Sequence, residues 1–137
     1  MSQGSVANLT ETFVADTDLT AKQYYAVTSG SAYGTVKVAT GASNPGPIGI
    51  LQNAPSLNGA AEVVIFGRCK AAVSACDYIG SAASDVDAGH RLQAGPDGLL
   101  YYASCGLGNA VSHGFIGTGS AVVPVFFNIS SCAYSAS

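Results

Sequence analysis

Hydrophobic and polar positions alternate with a period of two through eight short stretches: "TETFVA", "QYYAVT", "GTVKVA", "IGILQN", "AEVVIFG", "RLQA", "LLYYAS" and "VVPVFFNI". Successive side chains of a strand face opposite sides, so this period, carried by β-branched and aromatic residues, predicts half-buried β-strands. Turn formers separate them: Ser29-Gly30-Ser31, Asn44-Pro45-Gly46-Pro47, Asn58-Gly59 and Gly95-Pro96-Asp97-Gly98. Short strands at this spacing predict an all-β fold, a small β-barrel or β-tulip-like domain. Only "AVSACDYIGSAAS", residues 72 to 84, breaks the alternation; it is Ala-rich without internal proline and predicts at most one short helix.

Two parts of the pattern resemble each other. "YYAVTSGSAYGTVKVAT", "PIGILQNAP" and "AEVVIFG" run in the same order as "HRLQAGPDGLLYYAS", "GFIGTGS" and "VVPVFFN". Each set reads as a hairpin, a strand entered through an Ile-Gly pair (Ile48-Gly49, Ile116-Gly117) and an apolar closing strand. Two related halves of this kind would close on each other and leave no flat edge for uncontrolled pairing. A glycine inside a strand is favoured where the strand bends or another backbone comes near. Pro124, which has no N–H to give a ladder, points to an edge or a bulge and hence to a candidate contact edge.

Composition narrows the function. The 137 residues suit one domain, and only 9% are charged against roughly a quarter in ordinary soluble domains, so the exterior is built of small and uncharged residues. Eight acids and five bases leave a net charge of −3. The bases, Lys22, Lys37, Arg68, Lys70 and Arg91, form no run that would follow a phosphate backbone, so nucleic acid is not an expected partner. No stretch reaches the eighteen or so apolar residues of a membrane span, and the first residues lack an export signal, so the expected site of synthesis is the cytoplasm.

Chemistry is sparse. His90 and His113 stand at no metal-ligand spacing, no Gly-x-Ser-x-Gly elbow presents a serine, and the acid pairs Asp16/Asp18 and Asp85/Asp87 do not continue into a calcium loop. "CGLGNA" lacks the third glycine of a dinucleotide cradle. The expectation is a protein without catalytic, cofactor or metal site. Cys69, Cys76, Cys105 and Cys132 have spacings that exclude zinc knuckles. They read either as reduced, mostly buried thiols or as disulfide partners formed in oxidising surroundings, with Cys132 in the polar tail the one placed to bridge. Tyr24-Tyr25 and Tyr101-Tyr102 each predict one ring inward and one at a surface.

The order "DLTAKQYYAVTSG", "GTVKVAT", "PIGILQNAP…GAAEVVIFGRCKAAVSA", "DAGHRLQAGPDGLLYYAS", "GFIGTGS" and a final apolar strand resembles the small capsid decoration, or cement, proteins of tailed bacteriophages, over residues 13 to 128. The family usually has Gly-Asp-x-Leu where this chain has Gly89-His90-Arg91-Leu92, and its loops around residues 76 and 105 are shorter. The resemblance implies a compact β domain, commonly a homotrimer, on the outside of the expanded virion capsid. There it would clamp neighbouring copies of the major capsid protein against the pressure of packaged DNA.

On that reading the chain divides into an N-terminal arm, residues 1–12, a β domain, 13–130, and a polar tail, 131–137. Residues 2 to 14 are expected to add a strand to a neighbouring subunit with Val6, Leu9 and Phe13 as apolar anchors, or to be disordered up to about residue 10. The competing reading is a carbohydrate- or host-surface-binding module displayed on the particle, using exposed tyrosines such as Tyr33 or Tyr134.

Overall fold

The computed structural model describes residues 8–41, 46–77, 86–103, 110–114, 116 and 119–128. Every described element is a strand: β1 (Leu9–Ala15), β2 (Ala26–Ser29), β3 (Thr35–Val38), β4 (Gly49–Leu51), β5 (Ala60–Asp77), β6 (Arg91–Ala94), β7 (Leu100–Tyr102), β8 (Ala110–Ser112) and β9 (Ser120–Asn128). The all-β barrel expectation holds.

The strands close twice. The order β1-β3-β2-β4-β5 returns to β1 through a β1–β5 pairing, and β5-β7-β6-β8-β9 returns to β5 through β5–β9. Two five-stranded barrels therefore share the 18-residue β5. Pairing senses repeat as well: β1–β3 and β5–β7 are parallel, and the remaining ladders are antiparallel. The C-terminal part of β5 takes in the second barrel the place β1 takes in the first. Its N-terminal part has the place of β9. The two related halves read from the sequence are thus real in topology, joined by one strand that serves as the end of one half and the start of the next.

One detail of the repeat differs from expectation. The counterpart of β4 is β8, and Ile116, an isolated bridge partner of Val86, stands where Pro55 stands in the first half. The carbonyl of Pro55 accepts the Leu19 amide at 2.9 Å, and that of Ile116 accepts the Val86 amide at 2.9 Å. Leu19 and Val86 are both fully buried. Ring closure fixes the equivalence, and the Ile-Gly similarity in sequence lies one connection out of step with it.

Each barrel has its own core. Ala15, Leu19, Val27, Val36, Leu51, Ala61 and Val63 fill the first, with Phe13, Val38, Ile48 and Ile65 packed at its margin. Val73, Val86, Leu92, Leu100, Ile116, Val125 and Phe127 dominate the second. Ala26 and Ile50 belong to this second core although their neighbours Val27 and Leu51 belong to the first. Alternation thus sends the two faces of β2 and β4 into two cores, which accounts for their near-complete burial.

Residues 72 to 77 extend β5 and do not form a helix; residues 78–84 of the expected helix lie outside the described residues. Val73 and Ala75 face the second core, and Ala72 and Ser74 pair with Val122 and Ser120 of β9. Ladder pairing and burial override the modest helical preference of alanine. Gly49 has the close approach expected of a strand glycine: a Cβ there would lie 2.6 Å from the Val64 carbonyl oxygen.

Pro124 lies where the β8–β9 ladder ends, at Ser112↔Val125, so among the described residues β9 is open beyond it on that side. β9 pairs with β5 on one side and β8 on the other, in register through Lys70↔Pro124. The Pro124 carbonyl accepts the His113 amide at 2.9 Å. A strand residue points its N and its C=O toward the same neighbour, so the proline nitrogen faces the side where β8 has already ended and no donor is required.

Candidate contact surface

The residues singled out in the sequence are dispersed. Leu9 and Phe13 lie in β1, which pairs with the chain's own β5 from Leu9↔Phe66 to Val14↔Ala60. Phe13 packs against the first core, while Leu9 stays half exposed. Within this chain the segment from Leu9 onward completes its own barrel, because β5 offers it a ladder and the first ring closes through that pairing. Val6, Cys105, Cys132 and Tyr134 lie outside the described residues, and Cys76 belongs to β5. Cys69 is a free, half-buried thiol, and burial pushes its pKa up from 9.0 to about 12.

The polar groups weighed for chemistry are engaged in structure. The Asp87 amide donates to His90 Nδ1 at 3.0 Å, and the His90 ring stacks on Tyr102 with centroids 4.7 Å apart. Asp16 accepts from the amide and hydroxyl of Ser31 at 3.0 and 3.1 Å, and Asp18 accepts from the Thr20 amide at 3.1 Å. These carboxylates brace turns. In the second tyrosine pair Tyr101 is buried over Gly95 with its hydroxyl donating to Asp97 at 2.8 Å, and Tyr102 is partly buried against the second core.

Among the described residues the exposed large apolar side chains fall at one end of the first barrel, at the waist and at Val122 in β9. At one end of the first barrel the Val14 amide donates to the Gly34 carbonyl and the Asn58 amide to the Ala15 carbonyl, each at 2.9 Å. Near those bonds Val14, Tyr33 and Leu57 are each exposed, with Tyr33 projecting entirely into solvent from the β2–β3 turn. At the waist between the barrels Leu9 pairs with Phe66, whose ring meets Phe126 edge-on at 5.3 Å.

Also at the waist is a groove of about 510 Å³ lined by Tyr24, Gln52, Arg68, Cys69, Lys70 and Pro124. Sequence reading missed it. Its signal was present in "FGRCK", where Arg68 and Lys70, two apart in a strand, share one face. Tyr24 holds a left-handed φ of 74°, fixed by its amide donating to Leu51 at 2.7 Å and its carbonyl accepting from Ala72 at 2.9 Å.

A small closed β domain with exposed apolar groups at one end and at its waist is the class of molecule these observations define. The fold is that of a solved structure, the crystal structure of the head fibre gp8.5 N base in bacteriophage phi29, with a TM-score of 0.60 over 91% of this chain and 98% of that chain. Identity between the two is 12%, so the likeness is one of fold. No protein-family model matches the sequence, and no curated protein matches it either.

Proposed function

We propose that this protein is a structural component of a tailed-phage virion, bound to the outside of the expanded head, where it cements neighbouring copies of the major capsid protein. The observation that carries the reading is the fold shared almost end to end with the base of a phage head fibre. The sequence resemblance to decoration proteins supports the same class of particle. Two barrels threaded on one strand suit a mechanical role, since pulling either apart requires breaking ladders on both sides of β5. The apolar end carrying Val14, Tyr33 and Leu57 is the face assigned to the capsid, and a homotrimer at local three-fold positions is the expected assembly. The role involves no catalysis and no cofactor.

The test is to mix purified protein with undecorated expanded heads. Saturable binding that raises the temperature at which the heads release DNA supports the proposal. Absence of binding, together with saturable glycan binding that depends on Tyr33, would favour the display-module reading, which rests on that ring's complete exposure.

A further inference from the structure

β5 is covered unevenly along its two sides. Toward β4 and β9 the ladder runs without a break of more than one residue, from Val63 to Ser74. On the other side β1 reaches Phe66 and β7 begins at Val73, so residues 67–72 have no strand beside them among the described residues. The Lys70↔Pro124 pair is one whose backbone groups face away from each other, because the Pro124 carbonyl is used by His113. By alternation the N–H and C=O groups of Arg68, Lys70 and Ala72 all point into this gap.

Their partners differ by type. The Arg68 carbonyl accepts from the Asn8 side-chain amide at 3.0 Å, the Lys70 carbonyl accepts from Gln52 Nε2 at 3.0 Å, and the Ala72 amide donates to Tyr24. The amides of Arg68 and Lys70 have no partner among the described residues. Among the described residues this edge therefore offers two unpaired backbone N–H donors, and beside them stand an exposed guanidinium and an exposed ammonium bordering the groove. Two of the chain's five bases stand here, in a molecule whose net charge is −3.

We propose that this edge is a docking site for an extended acidic segment of a partner protein. Two carbonyls of the segment, two residues apart, accept from the Arg68 and Lys70 amides, and carboxylates at the same spacing meet the Arg68 and Lys70 side chains. The two amides are spaced by about 6.6 Å, the period-two repeat of any extended chain, so one strand satisfies both sets at once. The chain's own residues 1–7, Met-Ser-Gln-Gly-Ser-Val-Ala, carry no acid and so offer no charge complement to Arg68 and Lys70.

The experiment is an amide-resolved NMR titration of the full chain with the peptide acetyl-Ser-Glu-Thr-Glu-Thr-Ser-amide and its Gln counterpart. The Glu peptide is expected to shift the Arg68, Cys69 and Lys70 amides and to slow hydrogen exchange at Arg68 and Lys70. The Gln peptide, or the Arg68→Gln/Lys70→Gln variant with unchanged spectral dispersion elsewhere, is expected to bind about fivefold more weakly. Equal affinity for the two peptides, or shifts confined to another surface, overturns the proposal. So does exchange protection of both amides in the free protein that disappears when residues 1–7 are deleted, which would make the chain's own N-terminus the occupant.

Discussion

Ala15 and Ala75 occupy the same place in two successive barrels: the amide of Ala15 donates to Gly59, just before β5, and that of Ala75 donates to Gly119, just before β9, at 2.9 and 2.7 Å. The strand that ends the first barrel begins the second, so the two cores are tied through one backbone. Leu51→Ala empties a site in the first core and Leu92→Ala one in the second, each expected to cost about 2–5 kcal/mol. Both should lower one common urea transition, followed by circular dichroism and tyrosine fluorescence. Two separated transitions would mean that the barrels unfold independently.

Gly49 has no room for a side chain. A Cβ would meet Val63 Cγ1 at 2.3 Å and the Val64 carbonyl oxygen at 2.6 Å, and the second contact is backbone of the most heavily paired strand. Gly49→Ala is therefore expected to destabilise by about 1–3 kcal/mol through overpacking, measured by the midpoint of urea unfolding.

Gly34 and Gly98 separate backbone strain from packing. Both hold positive φ, 78° and 85°, but a Cβ at Gly34 meets nothing within 4 Å, whereas one at Gly98 lies 2.4 Å from Val38 Cγ1. The Gly98 carbonyl also accepts the Ala26 amide, joining the β6–β7 turn to the first barrel. Gly34→Ala should cost about 1–2 kcal/mol, the left-handed penalty alone. Gly98→Ala should cost clearly more, and equal losses in parallel thermal melts would show that the joint between the barrels yields freely.

Cys69 should be chemically quiet. With its pKa raised to about 12 it carries almost no thiolate near neutrality, so peptide mapping after iodoacetamide at pH 8 should find Cys69 unmodified in the native protein and alkylated in urea. The same shift makes a stability statement. Below 9.0 the thiol is protonated in both states and its contribution is fully present; above 9.0 the unfolded thiol ionises first, and stability is lost as pH rises toward about 12. The slope from this group is at most about 1.4 kcal/mol per pH unit, and Cys69→Ala should flatten the alkaline fall in urea midpoint by that component.

Tyr33 stands clear of both cores, so Tyr33→Ser should leave the unfolding midpoint within about 0.5 kcal/mol of the parent. The same substitution should weaken binding to expanded heads in a sedimentation assay. A stable variant that binds undiminished would move the contact away from this end of the molecule.

The sequence by itself determined that the chain is all-β and where most strands lie, because period-two alternation in "AEVVIFG" or "TETFVA" states which side chains face inward. It also showed the outline of a doubling, since the hairpin and closing strand recur in order. Only the tertiary structure decided how the doubling is realised. Ala72, Val73 and Ser74 look helical in a local window, yet they continue β5 because β9 lies beside them and both cores need the same strand. β8 is three residues long and carries too little pattern to be seen before ring closure places it. Leu9 and Phe13 read as anchors for another subunit, and only the pairing across some fifty residues of chain shows that β5 of the same molecule receives them. Alternation is written residue by residue and survives in any context, whereas ring closure and the gap beside Arg68 and Lys70 depend on which distant backbone arrives, which no local pattern encodes.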